Sequence, residues 1–171
     1  LTTVVAPMGY GKTTAVNWYL EERAKAGPLR VVRISVSSDN LAIFWRSAQD
    51  AFARAGIDLL REYACPTDAA GGGLLADDLC HELAGETPCY LFIDDFHLLT
   101  DQRVTAFLCM LAGRLPANIH LIIASRDRFL PAAEIVRLGA RVNRLGTEQL
   151  RLNPTELAVY APRCGTALTD A

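Results

Sequence analysis

The segment Ala6-Pro7-Met8-Gly9-Tyr10-Gly11-Lys12-Thr13-Thr14 has residue types and a spacing that could do chemistry. Two glycines give a turn the freedom to aim backbone N–H groups inward. A lysine follows at once, then two hydroxyls at the start of what reads as a helix, whose N-terminus attracts anions. A turn of this kind holds a polyphosphate. Lys12 reaches the β- and γ-phosphates, the Thr13 hydroxyl coordinates Mg2+, Thr14 is placed to meet the α-phosphate, and Pro7, Gly9, Tyr10 and Gly11 complete the cradle. The pattern asks for glycine at the first position, where this chain has Ala6, and alanine tolerates only negative φ.

Two further groups could complete such a site. The apolar run Tyr90-Leu91-Phe92-Ile93 ends in Asp94-Asp95, and paired carboxylates at the edge of a core need a reason to be there. Beside a phosphate turn, Asp94 reads as the residue of the Mg2+ shell and Asp95 as the base that polarises an attacking water. Taken alone, the pair could equally cap a helix or end a strand in solvent. Ser125-Arg126 closes another apolar run, His120 to Ala124. From there the planar fork of Arg126 could sense the γ-phosphate. With Asp127 and Arg128 beside it, a solvated loop arginine is the alternative on these residues alone.

These groups need a scaffold that brings them together. Thr3 to Ala6 reads as a buried strand, and Thr13 to Ala26 as a helix with Val16, Tyr19, Leu20 and Ala24 at helical spacing. Gly27-Pro28 stops that helix, and Leu29 to Val36 is a strand rich in β-branched residues. Ser38 or Asp39 can cap a helix over 41–55, with Ile43, Phe44, Ala48 and Phe52 on one face. The stretch 65–73, with Pro66 and three successive glycines, reads as a flexible surface loop, and helix resumes over 74–83. Cys89 to Ile93 is a strand, 101–115 a helix, His120 to Ala124 a strand, and Arg141 to Leu145 a weak last strand. Strands alternating with helices predict an α/β fold: a mainly parallel sheet between helical layers, with the ligand beyond the carboxyl ends of the strands.

Bulk composition bounds the function. A chain of 171 residues, 51% hydrophobic, can bury one sizeable core. Its 17 basic and 19 acidic residues leave a net charge of −2, not the footprint of a domain whose main ligand is nucleic acid, so DNA contact is expected from elsewhere. The five cysteines show no C-x-x-C spacing, which argues against a disulfide framework or a zinc site and fits a reducing cytoplasm. No apolar run approaches the ~20 residues that span a bilayer. The chain opens on Leu1 inside a strand-like run, so it is expected to be part of something longer.

Other residues have plainer readings. His81, His97 and His120 lack metal-ligand spacing and default to surface or core positions. Asp77 and Asp78 fall in the first turn of a predicted helix, where acids complement the dipole. Gly71-Gly72-Gly73 follows no strand and is not a phosphate loop. Trp18, Phe44, Trp45 and Phe52 read as core rather than a ligand stack.

With those residues in hand, the chain resembles the P-loop ATPase domain of the MalT-like STAND proteins, the large ATP-binding LuxR-type transcriptional regulators of bacteria. Val4 to Thr14 looks like their phosphate loop, where alanine commonly stands at the first position; Met8 departs from the small residue usual there. Asp39-Asn40 with Phe44-Trp45 is similar to the segment after their second strand. Leu91 to Leu98 looks like their Walker B strand, Ser125-Arg126 matches their sensor position, and Leu150 to Glu156 resembles the start of their helical lid.

The resemblance implies a three-layer αβα P-loop NTPase whose sensor strand lies between the Walker A and Walker B strands, with a core over 1–150 and the start of a truncated lid over 151–171. It implies ATP/ADP and Mg2+ as ligands and a switch in which ATP drives self-association through this domain. Slow hydrolysis is expected only in the full-length protein, and DNA is contacted only by a C-terminal domain absent here. Two rivals share the phosphate loop: a small-molecule kinase, and a nucleotide-binding assembly module without turnover. Strand order separates the kinase, which places the Walker A and Walker B strands side by side.

Overall fold

The structure, a computed structural model, describes residues 1–66 and 68–163. Thr67, within the predicted 65–73 loop, and 164–171, the end of the predicted lid segment, lie outside the described residues. Five strands form one sheet: β1 (Thr2–Val5), β2 (Arg30–Ser35), β3 (Cys89–Asp94), β4 (Ile119–Ser125) and β5 (Asn143–Leu145). Their order is β2-β3-β4-β1-β5, with every pairing parallel. The strand that ends at Ser125 therefore lies between the strand leading into the phosphate turn and the strand ending at Asp94, as the resemblance implied.

The helices are α1 (Lys12–Ala26), α2 (Leu41–Arg54), α3 (Ala69–Leu83), α4 (Gln102–Arg114), α5 (Ala132–Leu138), α6 (Thr147–Leu150) and α7 (Pro154–Arg163). Only the β1-to-β2 connection runs leftward through the strand order, so right-handed crossovers put α1 on one face and the helices of the other connections on the opposite face. Packing follows that division. On the α1 face, Val16 and Leu20 meet Val4, Phe92, Ile122 and Ala124. On the other, Phe44 and Phe52 of α2, Leu75 and Leu79 of α3 and Leu108 of α4 cover Val32, Leu91, Ile93, Leu121 and Ile123. β3, between β2 and the central strand β4, is buried at every position.

Several sequence expectations are corrected. Trp18 is 59% exposed rather than core, because the buried stripe of α1 is the narrow pair Val16 and Leu20, and Trp18 projects from the opposite side of the helix. Tyr19 and Ile43 are exposed for the same reason at the stripe margins. The helix predicted from Leu74 begins at Ala69, so much of the 65–73 loop is helical. Asp68 accepts the Gly71 N–H at 2.7 Å as its cap, and a Cβ at Gly72 would lie 3.4 Å from Phe107 and 3.5 Å from Met110 of α4, at ordinary contact distance. Burial of Leu75, Ala76, Leu79 and Leu83 on one face of α3 outweighs the roughly 1 kcal/mol that each helical glycine costs. Asp77 and Asp78 are consequently mid-helix, where Asp77 pairs with Arg114 at 2.7 Å and Asp78 accepts the Tyr63 hydroxyl. Finally, the cap of α2 is Asn40, whose Oδ1 accepts from Ala42 and Ile43, rather than Ser38 or Asp39.

On the α1 face an aromatic stack closes the amino-terminal end of the sheet. His120 stacks on Tyr90 at 4.7 Å, Tyr19 meets Tyr90 edge-on at 5.9 Å, and Arg23 Nε donates to the Tyr90 hydroxyl at 3.2 Å. Burial, with the positive charge of Arg23, holds the His120 pKa below its ordinary value. The unfolded chain therefore takes up this proton first. The contribution is complete above about pH 6.5, the unfolded value, and is lost as pH falls below it. Thermal melts from pH 7 down to pH 5.5 should show falling stability, with a shallower slope in His120→Phe; equal slopes would show that another group carries the dependence.

Candidate functional site

The phosphate turn is built by β1 and α1. Gly9 (φ 87°) and Gly11 (φ 69°) are left-handed, with open space where a Cβ would sit, so the requirement for glycine there is conformational rather than steric. Ala6 is 2% exposed and is not among the residues with positive φ, which is why alanine serves at the first position. Gly11 is the N-cap of α1; no side chain caps the helix and no acid lies in its first turn, an arrangement that suits the binding of an anion at its leading N–H groups. Pro7, Gly9, Tyr10, Thr13 and Thr14 are open to solvent, and Met8 projects outward at 73% exposure.

Lys12 is the cation at the neck of this turn. It is 8% exposed, and its Nζ donates to the carbonyl oxygens of Ala6 at 2.8 Å and Pro7 at 3.0 Å. The ammonium is thus held inside the turn by the backbone it serves.

The sheet order brings the other expected residues to the same edge. Val5 is paired in register with Ser125, the Ala6 N–H donates to the Ser125 carbonyl at 3.3 Å, and Arg126 follows directly, exposed. Ser125 is fully buried, and its Oγ has no partner among the described residues. One strand further over, Asp94 ends β3 at 5% exposure, with Oδ1 accepting the Asp95 N–H at 2.9 Å. Asp95 takes a left-handed conformation, φ 55°, and its side chain is 47% exposed.

The plain reading of His97 missed a feature of this edge. Its side chain is only 9% exposed, Nδ1 lies 3.9 Å from the Asp95 carboxylate, and neither ring nitrogen has a hydrogen-bond partner among the described residues. A buried imidazole with both nitrogens unmet is costly unless something else arrives to meet them. The signal available in the sequence was its place two residues after Asp95, on the same short turn. Phe96, at 1% exposure, wedges that turn against Phe129 in an edge-on contact at 4.8 Å.

A divalent cation fits this arrangement only together with phosphate. Among the described residues no group of three or more His, Cys, Asp or Glu side chains could hold a metal alone. The Asp94 carboxylate and the Thr13 hydroxyl are hard oxygen ligands of the kind Mg2+ takes alongside phosphate oxygens and water.

The comparisons with known proteins agree with this geometry. No family model matches the chain. The HTH-type transcriptional regulator MalT of Yersinia pestis (strain Pestoides F) is 28% identical over 159 residues, 91% of this chain. MalT of Yersinia enterocolitica is 28% identical over 168 residues. The chain is homologous to MalT. It spans 17% of the length of these MalT relatives, so the likeness concerns one part of a much larger regulator. Among solved structures, Cdc6p from Pyrobaculum aerophilum matches with a TM-score of 0.52 at 18% identity, over 84% of this chain and 38% of that one. A chain of the Drosophila ORC bound to AT-rich DNA and Cdc6 matches with a TM-score of 0.54 at 18% identity, over 92% and 52%. At that identity the likeness is one of fold alone. Among the described residues no helix is long and apolar enough to cross a membrane.

Proposed function

We propose that this chain is the nucleotide-controlled switch domain of a MalT-like transcriptional regulator. It binds ATP with Mg2+ through Pro7 to Thr14, hydrolyses it slowly, and self-associates in the ATP state. The observation that carries this reading is the insertion of β4 between β1 and β3, which lines up Lys12, Arg126 and Asp94-Asp95 on one sheet edge. A small-molecule kinase with Walker strands side by side is not favoured by that order.

The residues divide the work as follows. Lys12 and the open N–H groups of α1 bind the phosphates; Thr13 and Asp94 would hold Mg2+, which would supply positive charge to the phosphate oxygens. Asp95 takes the proton of the attacking water. Arg126 grips the γ-phosphate from the neighbouring strand end. Helix α7 opens on a capping box, with Glu156 N–H donating to Asn153 Oδ1 at 2.9 Å and Asn153 N–H to Glu156 Oε2 at 2.8 Å, and begins the lid that would close over this exposed edge. DNA contact belongs to a domain outside this chain.

Sedimentation of the full regulator loaded with ATP and Mg2+ or with ADP tests the switch. We expect a larger species with ATP. The same size in both states would overturn it.

A further inference from the structure

The connection between β2 and α2 carries an acid that the phosphate site does not use. Asp39 is free of capping duty, because Asn40 caps α2, and its carboxylate reaches 61 residues along the chain. Oδ1 accepts the Thr100 N–H at 2.6 Å and Oδ2 accepts the Thr100 hydroxyl at 2.7 Å. Both oxygens of one carboxylate thereby take both donors of one residue, which fixes orientation as well as distance. The same two bonds hold the Asp39 carboxyl below the usual carboxylate range.

Thr100 closes the turn that bears Asp95 and His97. That turn starts where the Val36 N–H donates to the Asp94 carbonyl at 3.0 Å and the Asp94 side chain takes the Asp95 N–H. It continues as a 3-10 turn over Phe96–Leu98, with Leu98 N–H on the Asp95 carbonyl at 3.0 Å and Leu99 N–H on the Phe96 carbonyl at 3.1 Å. A left-handed aspartate is strained and persists where its surroundings over-determine it. β3 supplies that constraint at the front of the turn and Asp39 supplies it at the back.

We propose that Asp39 is a positioning residue for Asp95: its grip on Thr100 holds the turn over 95–98 in the shape that aims Asp95 at the phosphate, and ties that turn to the β2–α2 loop. The inference rests on the ATPase reading above. A partner or neighbouring domain that pulls on 37–40 would then slow hydrolysis without touching the phosphate cradle, leaving the protein loaded with ATP.

Asp39→Ala, Thr100→Val, the double variant and the conservative Thr100→Ser test this in the full regulator. ATP affinity is read by calorimetry, phosphate release by single turnover, and amide exchange across 95–100 by hydrogen–deuterium exchange. We expect Asp39→Ala to lower phosphate release roughly tenfold or more, as small displacements of a reacting group do, with affinity within about twofold of the parent. Exchange at Leu98, Leu99 and Thr100 should quicken, the double variant should be no worse than Asp39→Ala, and Thr100→Ser should retain turnover. Unchanged release, a matching loss of affinity, or additive single effects would each overturn the proposal. Failure of the ATPase reading would look different: no release from the parent protein, with amide exchange across 95–100 still sensitive to Asp39.

Discussion

Replacing Lys12 with alanine should cost about 100-fold or more in ATP affinity. Two charge-assisted hydrogen bonds at roughly 1.5–3 kcal/mol each set that scale, since every 1.4 kcal/mol is tenfold. The side chain is almost fully buried at the neck of the turn, so no neighbouring cation can take its place without rearrangement. Its removal also strips the Ala6 and Pro7 carbonyls of their donor, which loosens the cradle itself. Calorimetry with ATP and with adenosine separates the two ligand parts: the loss should fall on the triphosphate, while adenosine binding stays as it was. A variant that binds ATP as tightly as the parent would mean that the turn is not the phosphate site.

Asp95→Asn should leave nucleotide and Mg2+ binding in place and lower phosphate release by about 10²–10⁴, the range that a positioned base supplies. The amide keeps the shape of the side chain and tolerates the left-handed backbone, so the change is chemical rather than conformational. Asp94→Asn should act differently: its carboxylate is buried and caps the Asp95 N–H, so there the Mg2+ dependence of ATP affinity should weaken. Single-turnover release with both variants distinguishes a base from a metal ligand. Unchanged release in Asp95→Asn would move the base elsewhere, and no release from the parent protein would favour a binding module without turnover.

The parts of this site readable in the sequence were those whose chemistry is local. Gly9, Gly11 and Lys12 announce themselves because a turn with positive φ followed by a helix needs those residues at that spacing, and the apolar runs before Asp94 and Ser125 mark strands buried on both faces. Side-by-side placement of these strand ends was suggested by family likeness and not by any periodicity. What stayed hidden depends on contacts between distant segments. The role of Asp39 is set by Thr100, the helical state of 69–73 by the packing of α3 on α4, and the exposure of Trp18 by how few residues α1 commits to the sheet. His97 looked ordinary because an imidazole without ligand spacing usually is; only burial with both nitrogens unmet sets it apart.

The position of β1 has a consequence for synthesis. Among the five strands of this sheet it is the first in chain order, yet its partners are the last two: Thr2 pairs with Ile122 on one side and with Asn143 on the other. Until β4 emerges, the strand that carries the phosphate turn has no neighbour, and pairings at such separation form slowly because loop-closure entropy must be met first. Early order in the growing chain is therefore expected from β2, β3 and the helices between them, and the phosphate turn gains its flanking strands only after β4 and β5 have emerged.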